Sequence, residues 1–394
     1  MKKANDNYRD FEISKLMVSR LLIEDIVECL RKDYLKPVKN KTIEIDDISI
    51  IVKLEYPEDF LTDPLRTIKR KPASLLFEDI FSKGLLKQGK TIITASSGNF
   101  LRELAIIALN RGFKIIGVTP PRIPYESLKI LTALGVDILH ITEEYDLCPR
   151  ETTVFYTRSL AERYRFNLVN IDQYNSWQNV MAHLYMTWNE IKELGEIDYA
   201  CIPLGSTGTF VGVTTGCSLE KRNIKIIGVQ PTKYHHIPGV HHIIGDCEWS
   251  PEIFTPLTSR DIVTVDDVDA YAGLIMLWRN GIPAGPSTGM AFIQAVKLAE
   301  NVKEGRILTI SADSIFAYRD YVLEYMKEIK EQIVDRYPEL GEECIKYVEW
   351  LKKLPTLDQR IELIKKLYRV ADEAGRVYRF DNEEDLLKGM KIST

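Results

Sequence analysis

"LGSTGTFVGV", residues 204–213, follows a short apolar run and precedes a stretch that can form a helix. The run before it, "DYACIP" at 198–203, has the length and composition of a buried strand. A turn rich in glycine and hydroxyl groups at this place can serve the backbone alone. It can also hold a phosphate group, because the first N–H groups of a helix are unpaired and lie at the positive end of its dipole.

Strands and helices alternate outward from this segment. Runs that are apolar almost throughout, alternating with amphipathic segments, indicate a parallel sheet covered on both faces. The predicted strands are 48–56, 91–96, 114–119, 136–142, 166–171, "YACIPL", "KIIGVQ" and "RILTIS". The predicted helices include 99–112, 125–135, 153–165 and 179–195. Residues 1–35 are predicted to be helical, and the charged tail from about 319 is predicted to be a helical extension used for packing or oligomerisation.

Composition limits the class of protein. The chain has 394 residues, 45% of them hydrophobic, and this length predicts two domains or one large α/β unit. Its net charge of -5 favours neither nucleic acid nor an anionic membrane as a partner. Its 6 cysteines are scattered without a Cys-x-x-Cys pair, and residues 1–15 lack the apolar core of a secretory signal. We therefore expect a cytoplasmic protein.

Glycine and hydroxyl residues recur at three strand-to-helix junctions, "SSGNF" at 96–100, "GSTGT" at 205–209 and "GPSTG" at 285–289. One such junction is weak evidence, because glycine and serine are common in turns. Three of them favour an anionic ligand, because ligands of open α/β sheets gather at the carboxyl ends of the strands. None matches a nucleotide-binding motif.

Lys69 is the candidate chemical anchor. It lies within "DPLRTIKRKPASLLFEDIF" (63–81), between a predicted strand and a predicted helix. There it could form a Schiff base if burial and the cations Arg66, Arg70 and Lys71 lower the pKa of its amine. The alternative is a solvated basic turn.

Taken in order over residues 45–320, these segments resemble the cysteine synthase family, the second fold type of pyridoxal-phosphate enzymes. "TIKRKPA" (67–73) is similar to the family's S-x-K-D-R-P-A, and "SSGNF" to its [ST]-S-G-N-T loop. "NIDQYNSWQNVMAHLYMTWNEI" (170–191) is similar to D-Q-[YF]-x-N-x-x-N-x-x-A-H-Y, and "GSTGT" to the G-T-G-G-T phosphate loop. The resemblance implies two interleaved three-layer α/β/α domains with mostly parallel sheets, as in the tryptophan synthase β subunit.

The resemblance also implies a domain division. The larger domain would take residues 35–71 and 173–320, and a smaller mobile domain 72–172. Residues 1–34 and 321–394 would be helical extensions, and the family suggests a homodimer.

Pyridoxal 5'-phosphate is the implied cofactor. Lys69 would hold its aldehyde, Asn99 its ring 3-oxygen and Ser287 its pyridine nitrogen. Its phosphate would be held by Gly205, Ser206, Thr207, Gly208 and Thr209. The implied substrate residues are Ser96, Ser97, Gly98, Asn99, Phe100, Gln173, His241 and His242.

Several residues depart from the family pattern. Arg70 replaces an acidic residue, Phe100 a small threonine, and Arg102 and Glu103 lie in a helix start that is usually small and apolar. These changes bear on the substrate more than on the cofactor, and they also admit a non-catalytic paralogue.

"HHIPGVHHIIGD" (235–246) holds four of the 6 histidines. We do not expect a metal, because no cysteine or carboxylate set completes a coordination sphere. "IPGVHH" is similar to I-P-G-I-R-R of phosphoserine-using relatives, in which an arginine pairs with the substrate phosphate. His241 and His242 take those places, and a mobile surface loop is the equal alternative.

The implied activity is β-replacement on an activated serine with sulfide to give L-cysteine, with O-phosphoserine ahead of O-acetylserine. The alternatives are a serine or threonine lyase, a condensation of serine with a larger thiol, and a protein that binds the cofactor without turnover.

Overall fold

A computed structural model describes residues 40–59, 61–142, 149–244, 250–254, 261–379 and 388. The predicted N-terminal helix, residues 1–34, lies outside the described residues. Within the described residues, no helix is both long and apolar enough to cross a membrane.

The first sheet has six strands in the order β1-β2-β10-β7-β8-β9. Its strands are β1 Lys41–Ile45, β2 Ile48–Leu54, β7 Tyr199–Pro203, β8 Lys225–Pro231, β9 Ile262–Val265 and β10 Gly305–Ser311. The hairpin of β1 and β2 is antiparallel, and the other pairings are parallel. The apolar sequence of β10 is explained by its place between β2 and β7, where its last residues are fully enclosed.

The second sheet has five strands in the order β11-β5-β4-β3-β6, and all its pairings are parallel. Its strands are β3 Thr91–Ala95, β4 Lys114–Thr119, β5 Asp137–His140, β6 Leu168–Asn170 and β11 Val377–Arg379. The chain builds two strands of the first sheet, then four of the second, and then returns to the first. This order confirms the predicted α/β class.

Helices cover both sheets. They are α1 Arg70–Ser82, α2 Asn99–Asn110, α3 Tyr125–Leu134, α4 Pro149–Arg163, α5 Trp177–Ala182, α6 Trp188–Ile191, α7 Gly208–Leu219, α8 Asp267–Arg279, α9 Pro286–Ala299, α10 Arg319–Arg336, α11 Gly341–Lys353 and α12 Leu357–Leu367. A π-helical turn, His183–Thr187, joins α5 to α6. Such turns are often found at functional sites.

Glycines let α8 and α9 cross closely beside the first sheet. A Cβ added to Gly273 would lie 2.3 Å from the backbone oxygen of Gly289, and one added to Gly289 would lie 2.3 Å from that of Ala270. Gly289 in the third predicted junction therefore serves helix packing. The crossing fixes the N-terminus of α9, where Ser287 lies.

The tail from residue 321 is helical as predicted through α12, but it then forms β11, which the sequence did not predict. β11 pairs with β5 in parallel register, Val377 beside Ile138 and Arg379 beside His140. The C-terminal extension is therefore part of the second sheet.

Candidate active site

A cavity opens at the carboxyl edge of the first sheet, where parallel strands place their following loops together. Lys69 follows β2, the 204–207 loop follows β7, and Gly239 follows β8. The cavity is lined by Ile68, Lys69, Pro203, Gly205, Ser206, Thr207, Thr209, Gly239, Val240, Ser287, Ile310 and Ala312. The structure thus brings Lys69, most of the predicted phosphate loop and Ser287 to one place.

Lys69 is the N-cap residue of α1, and its side chain points into this cavity. Its Nζ lies 2.8 Å from Ser206 Oγ, to which it donates a hydrogen bond. Burial lowers the pKa of the amine from 10.5 to about 8, and the carboxylate of Asp313 opposes this shift. At neutral pH an appreciable fraction of the amine is therefore unprotonated.

Arg70 and Lys71 beside Lys69 are paired with carboxylates. The prediction that a basic cluster contributes to the lowered pKa of Lys69 was therefore wrong. Arg70 is paired with Asp63, and its Nε lies 2.9 Å from Glu103 Oε2. Lys71 Nζ lies 2.8 Å from Glu55 and 2.6 Å from Glu190. These carboxylates neutralise Arg70 and Lys71, and burial is the physical cause of the shift.

Arg70 and Glu103, which both depart from the family pattern, are partners. Glu103 is 1% exposed, and it also accepts hydrogen bonds from Thr67, at 2.5 Å from the backbone N and 3.1 Å from Oγ1. The pair therefore fixes the backbone that leads into Lys69.

The phosphate loop holds a strained backbone and an unpaired hydroxyl. Thr207 is the N-cap of α7 with φ of 66°, in the left-handed region that β-branched residues rarely adopt. It is buried, and its Oγ1 has no hydrogen-bond partner in the described structure. A buried unpaired donor at a helix N-terminus, beside a lysine, fits the phosphate group of pyridoxal phosphate.

The loop glycines are required by the protein itself. A Cβ on Gly205 would lie 2.6 Å from the backbone oxygen of Gly239. One on Gly208 would lie 2.2 Å from Asn179 Oδ1. Asn179 in turn donates from Nδ2 to Ser206 Oγ at 2.9 Å, so close packing against α5 sets the shape of the loop.

His183 and Asn179 are site residues that the sequence analysis did not name. His183 Nε2 lies 3.2 Å from Thr209 Oγ1, and its Nδ1 lies 2.9 Å from Thr187 Oγ1. Burial, and then the charges of Lys69 and Lys71, hold the pKa of His183 well below 6.5, so the ring is neutral. The signal for both residues was the "NVMAHLY" part of the segment 170–191.

Ser287 lies in the first turn of α9 and is 3% exposed. Its neighbour Thr288 is held by Ser311 Oγ at 3.2 Å, and Ser311 is held by the hydroxyl of Tyr56 at 2.8 Å. This chain of hydroxyls fixes the start of α9 against β10.

The predicted substrate loop follows β3 of the second sheet. Ser96 Oγ accepts from the backbone N of Gly98 at 3.2 Å and of Leu101 at 3.3 Å, which shapes the start of α2. Ser97 is partly exposed beside them, and the Phe100 side chain is 1% exposed in the core of the second sheet. Phe100 therefore offers a ligand its backbone only.

Asn99 and Gln173 connect this loop to its surroundings. Asn99 Nδ2 donates to Asp313 Oδ2 at 2.5 Å, across the gap between the two sheets. Gln173 Nε2 donates to the backbone oxygen of Ala95 at 3.2 Å. A Cβ on Gly239, which lines the cavity, would lie 3.8 Å from Asn99 Nδ2, so the substrate loop borders the cavity there.

The predicted histidine pair lies on the loop after β8. The backbone N of His241 donates to Leu204 at 2.8 Å, which joins this loop to the phosphate loop. His242 Nδ1 donates to the backbone oxygen of Pro231 at 2.8 Å. No group of three or more metal-binding side chains occurs among the residues that the structure describes.

A sequence model described as "Pyridoxal-phosphate dependent enzyme" matches residues 42–313. The chain belongs to this family. Cysteine synthase of Aquifex aeolicus is 31% identical over 278 residues, which cover 68% of this chain and 81% of that protein. Cystathionine beta-synthase of Apis mellifera is 29% identical over 291 residues, covering 69% of this chain and 56% of that protein. Among solved structures, a hydrogen sulfide-producing enzyme from Fusobacterium nucleatum has a TM-score of 0.63 at 26% identity, covering 71% of this chain and 96% of that one.

These likenesses confirm the predicted cysteine synthase and cystathionine β-synthase family, the enzyme class and the cofactor. The chain is a pyridoxal-phosphate-dependent enzyme of the cysteine synthase type. Asp313 is the principal member of the site that the sequence analysis missed. Its only signal was its place directly after the last predicted strand.

Proposed function

We propose that this enzyme replaces the β-substituent of an activated serine with sulfide and so forms L-cysteine. The observation that carries the proposal is the contact of Lys69 with the phosphate loop. Its amine, with a pKa of about 8, lies 2.8 Å from Ser206 and shares a cavity with the unpaired hydroxyl of Thr207.

The residues divide the work as follows. Pyridoxal phosphate, when bound, withdraws electrons from the α-carbon of the amino acid. Lys69 would hold its aldehyde, and the neutral amine of Lys69 would take the α-proton of the substrate. Ser287 would offer a neutral hydroxyl to the pyridine nitrogen, which would favour elimination from the β-carbon. Asn99 would donate to the ring 3-oxygen.

The substrate carboxylate binds at the start of α2. There Ser96, Ser97 and Gly98 form a loop shaped by the Ser96 hydroxyl, and the helix presents its unpaired N–H groups. The carboxylate is thereby held by the second sheet, while the cofactor is held by the first. We therefore propose that residues 72–172 close over the substrate as a smaller domain and exclude water.

The ion pairs of the basic residues near Lys69 bear on which activated serine is the substrate. The expectation that O-phosphoserine leads rested on the basic cluster near Lys69 and on the I-P-G motif, but Arg70 and Lys71 of that cluster are paired with carboxylates. Arg70 and Lys71 therefore offer a substrate phosphate less positive charge than the sequence suggests, and His242, whose Nδ1 donates to the backbone oxygen of Pro231, keeps its Nε2 for a ligand. We place O-acetylserine ahead of O-phosphoserine, with His241 and His242 as the groups nearest to a phosphate binder.

The cellular setting is proposed from the same family. We propose a cytoplasmic homodimer that acts on an amino acid and sulfide, with no nucleic-acid or membrane partner. Sedimentation of the holoenzyme tests the dimer.

The test is product analysis of the full-length holoenzyme. O-acetyl-L-serine, O-phospho-L-serine, L-serine and L-cysteine are each incubated with and without sulfide, and cysteine, pyruvate and released sulfide are measured. Sulfide-dependent cysteine formation from O-acetylserine supports the proposal, and a preference for O-phosphoserine would reverse the donor order.

Pyruvate without need of sulfide would instead indicate a lyase, and sulfide released from cysteine would indicate the reverse direction. Holoenzyme that does not exchange the α-proton of any of these amino acids would identify a protein without turnover. Lys69→Ala should abolish covalent attachment of the cofactor under every enzymatic alternative.

A further inference from the structure

The side-chain amide of Asn99 is bonded to an acceptor at its nitrogen and to a donor at its oxygen. Its Nδ2 donates to Asp313 Oδ2 at 2.5 Å, and its Oδ1 accepts from Nη2 of Arg102. A guanidinium only donates, and Asp313 Oδ2 accepts here from the Tyr318 hydroxyl as well as from Asn99. The amide can therefore take one orientation and not the flipped one, and the second hydrogen of Nδ2 remains for another acceptor.

Burial of the Arg102 guanidinium at this position is energetically unfavourable. It is 0% exposed, and its Nε and Nη1 have no hydrogen-bond partner among the residues that the structure describes. Its guanidinium lies 5.6 Å from the ring centre of Tyr318. An arginine buried with so few partners destabilises the fold relative to an apolar side chain of similar length. Packing does not explain why an arginine is used.

Asp313 links this cluster to the cofactor side of the site. The Tyr318 hydroxyl donates to its Oδ2 at 2.9 Å, and its Oδ1 is unpaired. Its backbone oxygen accepts from Gly285 at 2.9 Å, and a Cβ on Gly285 would lie 2.2 Å from Oδ1. Asp313 is thus wedged between the substrate loop and the loop that leads to Ser287.

The cluster of Asn99, Asp313 and Tyr318 has one face beside the cavity. A Cβ on Gly239 would lie 3.8 Å from Asn99 Nδ2, from Asp313 Oδ2 and from the Tyr318 hydroxyl. Gly239 itself lines the cavity of Lys69. The remaining hydrogen of Asn99 Nδ2 is therefore available where the cluster meets the cavity.

We propose that Arg102, together with Asp313, is a positioning residue that fixes the Asn99 amide with its free N–H toward the ring oxygen of the cofactor. This rests on the role of Asn99 in the proposed function. Without Arg102 the amide loses the donor on its Oδ1 and is held by Asp313 alone, so its second N–H is no longer fixed toward the ring oxygen. The ring oxygen then loses a dedicated hydrogen bond.

The experiment uses full-length holoenzyme with Arg102→Met, which keeps the length and removes the donors. The ratio of the two absorption bands that report the ionised and the protonated ring oxygen is titrated with pH. We expect the pH midpoint of this titration to rise, because the ionised ring oxygen loses a hydrogen bond. We also expect kcat to fall about tenfold, which corresponds to the free energy of one hydrogen bond, with a smaller change in KM. The urea midpoint should stay equal or rise, because a buried charge has been removed.

Asp313→Asn tests the same amide from its other side, because an amide at position 313 can donate as well as accept and no longer fixes Asn99, and it should change the band ratio. Arg102→Lys keeps a donor and should restore part of the effect. The control is Arg111→Met at the far end of α2, where the guanidinium pairs with Glu78 near the surface. It should leave the spectrum unchanged.

An unchanged band ratio in both Arg102→Met and Asp313→Asn would overturn the proposal. So would a loss of stability in Arg102→Met with an unchanged spectrum, since that is the signature of a structural role alone. If Arg102→Met does not fold, Arg102→Lys and Asp313→Asn decide by the same ratio. Because the spectrum requires bound cofactor but no turnover, this test remains decisive even if the enzyme makes no cysteine.

Discussion

Replacing Arg360 with methionine should destabilise the protein by about 3 kcal/mol. The Arg360 side chain is 0% exposed, and its Nη2 lies 2.5 Å from Oε2 of Glu126, which is 2% exposed. Arg360 also bonds Asp320 and the backbone oxygen of Phe316. Removing one partner of a buried pair leaves the other uncompensated, which costs about 3–5 kcal/mol.

The lower end of that range applies for two reasons. Burial raises the pKa of Glu126, against the attraction of Arg360, so a stranded Glu126 can become neutral. It also keeps the backbone N–H groups of Tyr321, at 2.9 Å, and Asp320, at 3.2 Å. Opposing this relief, the Phe316 oxygen loses its arginine donor.

Urea unfolding, followed by circular dichroism and by tryptophan fluorescence, gives the free energy of unfolding. Lys365→Met on the same helix is the control, because its pair with Glu362 is exposed by 48% and 63%. It should change the stability by less than about 0.5 kcal/mol. A loss below about 1 kcal/mol in Arg360→Met would refute the reasoning from burial. The double variant Arg360→Met with Glu126→Gln should lose less stability than the sum of the losses in the two single variants.

Three further predictions concern the cofactor site. The rate at which apoenzyme attaches pyridoxal phosphate covalently should rise with pH about a midpoint near 8, because the reactive form of Lys69 is the neutral amine; a rate still climbing at pH 10 would mean an unshifted pKa. Gly208→Ala should weaken cofactor binding more than about tenfold, since its Cβ would lie 2.2 Å from Asn179 Oδ1, whereas Gly341→Ala, with 3.7 Å to its nearest neighbour, should not; equal Kd values from fluorescence titration would contradict this. Thr207→Gly should relieve about 1 kcal/mol of strain at φ of 66° yet bind inorganic phosphate less tightly, and unchanged phosphate affinity would remove the hydroxyl from the phosphate site.

The sequence predicts those parts of the fold that are locally determined. Each predicted apolar run forms a strand, because a run that is apolar on both faces is favourably buried inside a sheet that helices cover. β1, β9 and β11 were missed, because Lys41–Ile45, Ile262–Val265 and Val377–Arg379 are short and are only partly buried, so their register depends on a neighbour. The helix over 179–195 was predicted without its π-helical turn, which propensity does not show.

In the candidate site, too, residues that form a local sequence pattern could be predicted, and contacts between distant residues could not. Lys69 and the 205–209 loop could be found because their residues are adjacent in sequence and carry a recognisable pattern. Asn99 and Asp313 meet across 214 positions, and neither residue alone predicts the contact. The cause of the lowered Lys69 pKa could not be inferred either, since the sequence displays neighbouring cations but not the carboxylates that neutralise them.

The C-terminal extension connects the second sheet to the loop that carries Lys69. β11 extends that sheet beyond β5, and Arg360 of α12 binds Glu126 of α3. Past α12, the Tyr368 hydroxyl donates to Asp63 and accepts from the backbone N of Leu65 at 3.2 Å. Asp63 in turn pairs with Arg70, next to Lys69. A shift of the second sheet relative to the first would therefore either move the Lys69 loop or break the bonds of Tyr368.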